Sequence, residues 1–270
     1  SEPVEVTLPH DAMIRCERAP DMPFGNCTGY YPHENVHYTK KFHLDDASGT
    51  LFLEFEGIYM DAAIYVNGCL AGKHANGYTP FVLDISPYVT TGENTLKVVV
   101  RSGEPSSRWY PGTGIYRDVS LLRAGGLYIK PDGVQISTPQ VEHDLAVISI
   151  ETTLVNRENA VRDVTLRHRI GEQEISAPVT MLPNETKVIV LRTEMEDPRL
   201  WSVESPNLYT CKTEVTGIDR AETRFGIRSL LLDSRHGLRI NGESVKLRGG
   251  CIHHDHGVVG AIDHRALEER

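Results

Sequence analysis

Apolar and polar positions alternate along short stretches of the first half of the chain. In residues 51–56, Leu51, Leu53 and Phe55 fall on one face of an extended chain, and Glu54 and Glu56 fall on the other. A period of two is typical of a strand that is buried on one side. This stretch is therefore predicted to be a β-strand.

The dipeptide Asn67–Gly68 separates two apolar runs, 63–66 and 69–71. Both residues tolerate the positive φ angles of a two-residue turn, so the pattern predicts a β-hairpin. Further strands are predicted at 81–85, 95–100 and 115–122, and no convincing helical period lies between them. Short strands separated by turns indicate a β-sandwich or jelly roll.

The glycines after Ala124 mark a predicted domain boundary, beyond which strands resume. They are expected at 134–138, 145–155, 161–170, 187–191 and 208–215. About seven strands in roughly 100 residues is the count of an immunoglobulin-like sandwich. The fold class is therefore all-β, with a jelly-roll domain at 1–124 and an immunoglobulin-like domain at 125–225.

The pattern changes in the third predicted segment, 226–270. Asn241–Gly242 predicts a second hairpin turn, residues 245–250 a strand, and residues 263–270 the first turns of a helix with Asp263 as its N-cap. A strand, a loop and a helix in this order are how a TIM barrel begins, and we expect only this first unit of the barrel here. Without neighbouring strands, Ile240, Val245 and Leu247 are expected to pack on the immunoglobulin-like domain, to contact a partner, or to be disordered.

Composition and charge exclude several classes of function. A net charge of −9 argues against nucleic-acid binding, and no apolar run is long enough to span a membrane. The five cysteines are scattered without a CxxC pair, which favours reduced thiols over a disulfide framework or zinc ribbon. The first residues do not resemble a signal peptide, so the expected location is the bacterial cytoplasm. No phosphate-binding or dinucleotide motif is present, and no cofactor is predicted.

The segment SSRWYPGTGIYR, residues 106–117, is the most distinctive stretch of the chain. Pro111 and Gly112 predict a turn, and Gly114 allows close approach of the backbone. The faces of Trp109 and Tyr110 suit the apolar C–H face of a sugar ring, but buried aromatic side chains more often serve packing alone. Both interpretations stay open on the sequence.

Residues 253–256 read His-His-Asp-His, a run of side chains that can bind metal or form hydrogen bonds. Neighbours in an extended chain point to opposite faces, so at most two of them converge locally, and no metal site is predicted. At the end of a first barrel strand, these side chains would face the mouth of the barrel, where barrel enzymes carry their active sites. The alternative is a solvated polar loop.

Several motifs, in this order and spacing, resemble the N-terminal part of glycoside hydrolase family 2, the family of β-galactosidases and β-glucuronidases. The resemblance begins at the segment LPHD, residues 8–11, and continues through GYTPF at 77–81. The family signature is the strongest part of it, and its matching residues are Arg108, Trp109, Tyr110, Pro111, Gly112, Gly114, Tyr116 and Arg117. Residues 224–228 and 247–249 resemble the entry into the family's barrel.

The resemblance implies a jelly roll, an immunoglobulin-like domain and a catalytic barrel in series. It also implies that the acid/base and the nucleophile are glutamates on later barrel strands, so no catalytic residue is expected in this chain. His253 and Asp255 are the implied contacts to substrate hydroxyls, and His254 replaces the glutamate that is commoner in the family.

Three hypotheses follow for the function. In the first, the chain is the non-catalytic N-terminal portion of a retaining β-glycosidase, a β-galactosidase with a β-galactoside substrate or alternatively a β-glucuronidase. In the second, the jelly roll binds carbohydrate by itself through exposed Trp109 and Tyr110. In the third, the sandwiches only brace the barrel and mediate contacts in a homo-oligomer, in which case Trp109 is expected to be fully buried. Neither nucleic acid nor membrane is an expected partner.

Overall fold

The structure is a computed structural model that describes residues 2–32, 34–102, 109–254 and 256–269. Contacts divide the chain into two compact units, Ser1–Arg123 with Gly250–Arg270, and Ala124–Gly249. The predicted third segment, 226–270, is therefore shared between the two units. All five cysteines are free thiols. No helix in the described ranges has the length and apolar character needed to cross a membrane.

The first unit is a β-sandwich of two sheets. Its strands are β1 (Val36–Leu44), β2 (Thr50–Phe55), β3 (Ala62–Val66), β4 (Cys69–His74), β5 (Phe81–Asp84), β6 (Gly92–Val100) and β7 (Val119–Ala124). One sheet has the order β1-β6-β3-β4 and the other the order β5-β2-β7. Short 3₁₀ helices cover Met13–Arg15, Gly25–Thr28 and Ser86–Tyr88, and a one-turn helix α1 covers Arg265–Glu268.

The core of the first unit lies between its two sheets, where Phe55 of β2 and Ile64 of β3 are fully buried. The predicted hairpin is confirmed, because Asn67 and Gly68 join β3 to β4 with φ angles of 49° and 83°. Strand β1 was missed by the sequence interpretation, although it pairs with β6 along its full length. Its exposed polar residues hide the alternation that would have predicted it.

The second unit contains seven strands, the number expected of an immunoglobulin-like sandwich, although the two at 173–181 and 219–225 were not among the predicted ranges. They are β8 (Leu127–Val141), β9 (Leu145–Asn156), β10 (Arg162–Ile170), β11 (Gln173–Met181), β12 (Thr186–Glu196), β13 (Tyr209–Val215) and β14 (Asp219–Phe225). Their sheets have the orders β11-β10-β13-β14 and β12-β9-β8. Strand β9 alternates strictly between buried and half-buried positions, which is why its pattern was readable in the sequence.

A small antiparallel sheet follows, formed by β15 (Leu230–Asp233), β16 (Gly237–Ile240) and β17 (Glu243–Ser244). Asn241 and Gly242 make the predicted turn between the last two strands, with φ angles of 52° and 84°. Ile240 is buried, and the Asn241 side-chain amide donates to the carbonyl oxygen of Trp201 at 3.0 Å. This sheet is therefore anchored within the second unit.

Two predicted elements differ in the structure. Residues 245–250 are irregular instead of a strand. The Val245 amide donates to the Leu238 carbonyl oxygen of β16 at 2.9 Å, but no strand in the described part of the chain pairs with residues 246–250, and Leu247 is 82% exposed. The strand predicted at 115–122 begins only at Val119, because the residues before it do not form the regular hydrogen bonds of a sheet. The backbone of Gly114 pairs instead with Tyr59.

His168 on β10 gives the second unit a predicted pH dependence. Its ring is buried between Thr213 Oγ1 at 3.0 Å and Thr152 Oγ1 at 3.4 Å, and burial lowers the pKa of His168 to about 4 from an ordinary value of 6.5. As pH falls, the His168 ring therefore becomes protonated in the unfolded chain at a higher pH than in the folded protein, where it stays neutral. The contribution of His168 to the unfolding free energy is fully present above its pKa in the unfolded chain, and it is lost as pH falls toward its pKa in the folded protein.

We expect this loss to reach about 3 kcal/mol of unfolding free energy below pH 4 relative to pH 7. Urea unfolding of the second unit over this range measures it. His168→Gln should flatten the difference, whereas His143→Gln, at an exposed position of the same unit, should leave it unchanged. Equal pH profiles for His168→Gln and the wild type would contradict the assignment.

Candidate functional site

The segment that resembles the family signature is buried in the first unit. Residues 110–116 are all buried, whereas Trp109 is 46% exposed. Arg108 lies outside the described residues. The prediction of an exposed face formed by Trp109 and Tyr110 together is therefore wrong for Tyr110, because its phenol is taken up by an internal hydrogen bond.

That bond goes to Asp11, a fully buried carboxylate in the LPHD segment. Asp11 Oδ2 accepts from the Tyr110 hydroxyl at 2.8 Å and from the Ala261 amide at 2.9 Å. Asp11 Oδ1 accepts from the amides of Met13 at 3.0 Å and Thr113 at 3.1 Å. One side chain thus connects three segments distant in sequence, and we call this group of contacts the Asp11 junction.

The electrostatics of the junction keep its donors protonated. Burial, and after it the charge of Asp11, raises the pKa of the Tyr110 phenol far above its usual value. The phenol is therefore a permanent donor to Asp11. With both oxygens engaged by two donors each, Asp11 is a structural acceptor and is not placed to transfer protons.

Two glycines provide the space that the junction needs. A Cβ atom at Gly112 would lie 2.5 Å from the Ala261 Cβ atom and 2.9 Å from Asp11 Oδ2. A Cβ atom at Gly260 would also overlap Asp11 Oδ2, and both glycines have φ angles near 70°. Gly112 in the signature is thus required by close approach as well as by its positive φ angle.

The end of the signature holds the same C-terminal segment at a second point. Arg117 Nε donates to Asp263 Oδ2 at 2.7 Å, and the amide of Asp263 donates to the Tyr116 carbonyl oxygen at 3.0 Å. The Tyr116 hydroxyl donates to the Gly77 carbonyl oxygen at 2.8 Å. Asp263 was predicted as a helix N-cap, and this is wrong, because its carboxylate pairs with Arg117 while His264 caps α1.

An aromatic cluster surrounds Gly29, at the end of the 3₁₀ helix Gly25–Thr28. A Cβ atom there would lie 3.3 Å from Tyr110, 3.8 Å from Tyr31 and 4.0 Å from the edge of the Trp109 indole. The guanidinium of Arg18 lies 4.6 Å from the centroid of the Tyr31 ring. The purely architectural hypothesis expected Trp109 to be fully buried. Trp109 instead lies at the edge of a packed cluster and is partly exposed.

The His-rich loop is only partly described. The side chain of His253 is exposed, and Asp255 lies outside the described residues, so their role as substrate contacts stays a prediction. His256 and Gly260 exchange backbone hydrogen bonds at 2.9 and 2.8 Å, which closes a tight loop directly before Ala261. In the described ranges, no three His, Cys, Asp or Glu side chains are grouped as a metal site.

The structure thus brings most of the predicted signature together with residues that the sequence interpretation did not single out. Asp11 was noted only as part of a motif, and Ala261 was not noted at all. No apolar alternation marked the buried aspartate directly after Pro-His. Three of its four partners lie 99 to 250 residues away in sequence. A single sequence carries no signal for such distant hydrogen bonds.

The chain thus consists of two β-sandwich units that follow each other in sequence, the first with a buried signature that holds a C-terminal segment. Residues 14–125 match the family model of the sugar binding domain of glycosyl hydrolases family 2, and residues 127–228 match the model of glycosyl hydrolases family 2. The chain belongs to glycoside hydrolase family 2. Its all-β fold and the resemblance of its motifs are thereby confirmed.

Among similar proteins is the β-galactosidase BoGH2A of Bacteroides ovatus, 36% identical over 97% of this chain and 32% of its own length. A putative β-glucuronidase of Formosa agariphila is 35% identical over 87% of this chain and 23% of its own length. A family 2 member from Bacteroides cellulosilyticus has a similar structure, with a TM-score of 0.89 and 33% identity, over 98% of this chain and 36% of its own. The chain thus spans about a quarter to a third of the length of such relatives.

Proposed function

We propose that this chain is the non-catalytic portion of a retaining β-glycosidase that hydrolyses terminal, non-reducing β-D-galactosides. Its relatives support a glycosidase, and the β-galactosidase of Bacteroides ovatus supports the sugar. In this proposal, the acid/base and nucleophile lie on parts of the parent protein outside these 270 residues.

The Asp11 junction is the observation that carries the role of this portion. It uses a fully buried carboxylate and four hydrogen bonds to fix the signature and residue 261 in one place. The segment that it fixes follows the His-rich loop by only a few residues. The sandwich would therefore position His253 and Asp255 for contacts to substrate hydroxyls, instead of performing chemistry itself.

A β-glucuronidase is the second candidate for the parent enzyme. The Formosa agariphila relative is nearly as similar as the Bacteroides ovatus β-galactosidase, at 35% against 36% identity. The two sugars differ at the group on C5, a hydroxymethyl or a carboxylate, and at the orientation of the C4 hydroxyl. A site built for one of them discriminates strongly against the other.

The test is hydrolysis of p-nitrophenyl β-D-galactoside and p-nitrophenyl β-D-glucuronide by the parent protein and by this chain alone. We expect turnover of the galactoside by the parent and none by the chain. His253→Ala and Asp255→Asn in the parent should lower kcat/KM by about tenfold or more, because each removes a hydrogen bond to the sugar.

His236→Ala is the matched control, since His236 is exposed in the second unit and pairs with Asp233. It should leave kcat/KM unchanged. Turnover of the glucuronide alone would assign the second candidate. Turnover by the isolated chain that survives repurification, or no turnover of either sugar by the parent, would overturn the proposal.

A further inference from the structure

The small sheet of the second unit carries an apolar face that is open to solvent at one end. Its register pairs Leu230 with Ile240 and Leu232 with Leu238, and residues directly opposite each other in antiparallel strands lie on the same face. We call these four side chains the apolar sheet face. Ile240 is 9% exposed, Leu230 53% and Leu232 80%, so exposure rises from the end beside Asn241 toward the turn that joins β15 to β16.

The opposite face of this sheet has its polar groups already paired with one another. Asp233 and Arg239 fall on that face by the same alternation, together with Leu231. Arg239 Nη2 donates to Asp233 Oδ2 at 2.7 Å, and His236 Nδ1 contacts Asp233 Oδ1 at 3.0 Å. The polar face is therefore complete within the sheet, whereas the apolar sheet face still presents most of the Leu232 side chain to water.

The position of β15 in the sheet adds to this exposure. The order β15-β16-β17 leaves one edge of β15 without a neighbouring strand in the described ranges. Single exposed leucines are common on protein surfaces, but several on one face of a sheet mark a surface that another structure covers. Edge strands that stay exposed usually carry lysine or proline to block pairing, and residues 230–232 are three consecutive leucines.

The size of the apolar sheet face indicates what covers it. A stable complex between two separate proteins buries about 800 Å² on each partner. A leucine side chain offers on the order of 100 Å² of apolar surface, so four such side chains supply about half of that area or less. A contact within one polypeptide has no such minimum, because the covalent connection holds the two surfaces at an effective concentration of about millimolar.

We propose that the apolar sheet face is the surface on which the remainder of the parent protein packs. The chain covers 32% of the Bacteroides ovatus β-galactosidase and 36% of the Bacteroides cellulosilyticus structure, so about two thirds of each lies outside the matched stretch. That remainder places an apolar surface against Leu230 and Leu232. The inference rests on the proposed function for the existence of a parent protein, and it deepens that function by naming the surface that joins the two portions.

Alkylation of Leu232→Cys tests the contact directly. The variant is made in the full 270-residue chain and in the parent, and peptide mass spectrometry separates its reaction with iodoacetamide from that of the native cysteines. We expect labelling to be at least about tenfold slower in the parent than in the chain, because the reagent does not reach a covered thiol. Val188→Cys, at a 54% exposed position of β12 in the same unit, is the matched control and should react equally fast in both.

A charge placed on the same face gives a second, independent measurement. Leu232→Asp should lower the Tm of the parent by about 5 °C, because it puts an unpaired carboxylate into an apolar contact. The same substitution should change the Tm of the 270-residue chain by about 1 °C or less, because the position is exposed there. Val188→Asp should be equally mild in the chain and in the parent.

Equal labelling of Leu232→Cys in the chain and the parent, or equal Tm shifts of Leu232→Asp in both, would overturn the proposal. Labelling of the chain that slows as its own concentration rises would assign the face to a second copy and would overturn the proposal as well. Neither readout uses turnover, so these failures are distinct from failure of the proposed function. A parent that shields position 232 and hydrolyses neither sugar would retain this contact and lose only the proposed function.

Discussion

Asp11→Ala is expected to lower the unfolding free energy of the first unit by about 4 kcal/mol. The substitution leaves four buried donors without their acceptor. Each unsatisfied buried donor costs about 1–3 kcal/mol, and water that enters the space left by the carboxylate reduces the total. The phenol of Tyr110 and the amides of Met13, Thr113 and Ala261 are these donors. The loss is larger than for a surface aspartate because no solvent replaces the carboxylate.

Urea unfolding in the Trp201→Phe background measures this effect, because Trp109 then reports on the first unit alone. The loss of unfolding free energy in Asp11→Asn should lie between those of the wild type and Asp11→Ala, since the side-chain amide keeps one acceptor oxygen but turns an NH₂ group toward two donors. The amide of Ala261 should exchange faster with solvent in both variants. That local result separates loss of the junction from a general loss of stability.

Asp45→Ala is the matched control, because Asp45 is exposed and, among the described residues, its carboxylate pairs only with His43, at 3.5 Å. Exposed substitutions of this kind usually change stability by no more than about 0.5 kcal/mol. If Asp11→Ala proved as mild as Asp45→Ala, Asp11 could not be the residue that holds the three segments together.

The contrast between local and distant interactions explains which features were predictable from the sequence. The turns at Asn67–Gly68 and Asn241–Gly242 were predicted correctly because their positive φ angles are a property of those residue types. The strand predicted at 245–250 had the right residue types, but a strand also needs a neighbour along its length, and the described residues supply only one hydrogen bond, from Val245 to Leu238. Propensity without pairing therefore left this stretch irregular.

The candidate site shows the same limit. Pro111 and Gly112 predicted a turn from local chemistry; Gly112 does have a positive φ angle of 70°, but residues 110–113 are irregular and form no regular turn. The function of this segment in the fold depends on Asp11 and Asp263, whose long-range contacts join segments separated by 99 to 250 residues. The family resemblance marked the motif as important, but only the arrangement of the chain in space showed what the motif binds.

Gly114→Ala is expected to destabilise the first unit by about as much as loss of the Asp11 carboxylate. Gly114 has a φ angle of 137°, which L-residues with a side chain rarely adopt. A Cβ atom there would lie 2.7 Å from the carbonyl oxygen of His10 and would overlap the hydroxyl of Tyr38. Neither neighbour can move freely, because the His10 amide donates to Ile115 at 2.7 Å and its ring contacts the Tyr38 hydroxyl at 2.9 Å.

Gly92→Ala separates the steric part of this effect from the conformational part. Gly92 also has a positive φ angle, 102°, but a Cβ atom there would meet no atom within 4 Å. Its substitution should cost only the backbone strain, about 1–2 kcal/mol, whereas Gly114→Ala should cost about 4 kcal/mol because the clash with His10 adds to that strain. Urea unfolding of both variants in the Trp201→Phe background gives the difference.

The overlap at Gly114 also predicts a local consequence that Gly92→Ala cannot produce. Gly114 and Tyr59 exchange backbone hydrogen bonds at 2.9 and 3.0 Å, and the added methyl group should push these strands of backbone apart. The amides of Gly114 and Tyr59 should therefore lose protection from exchange in Gly114→Ala and keep it in Gly92→Ala. If the two variants lost equal unfolding free energy and kept equal protection from amide exchange, close packing against the LPHD segment would not explain the glycine at position 114. Its φ angle alone would then explain it.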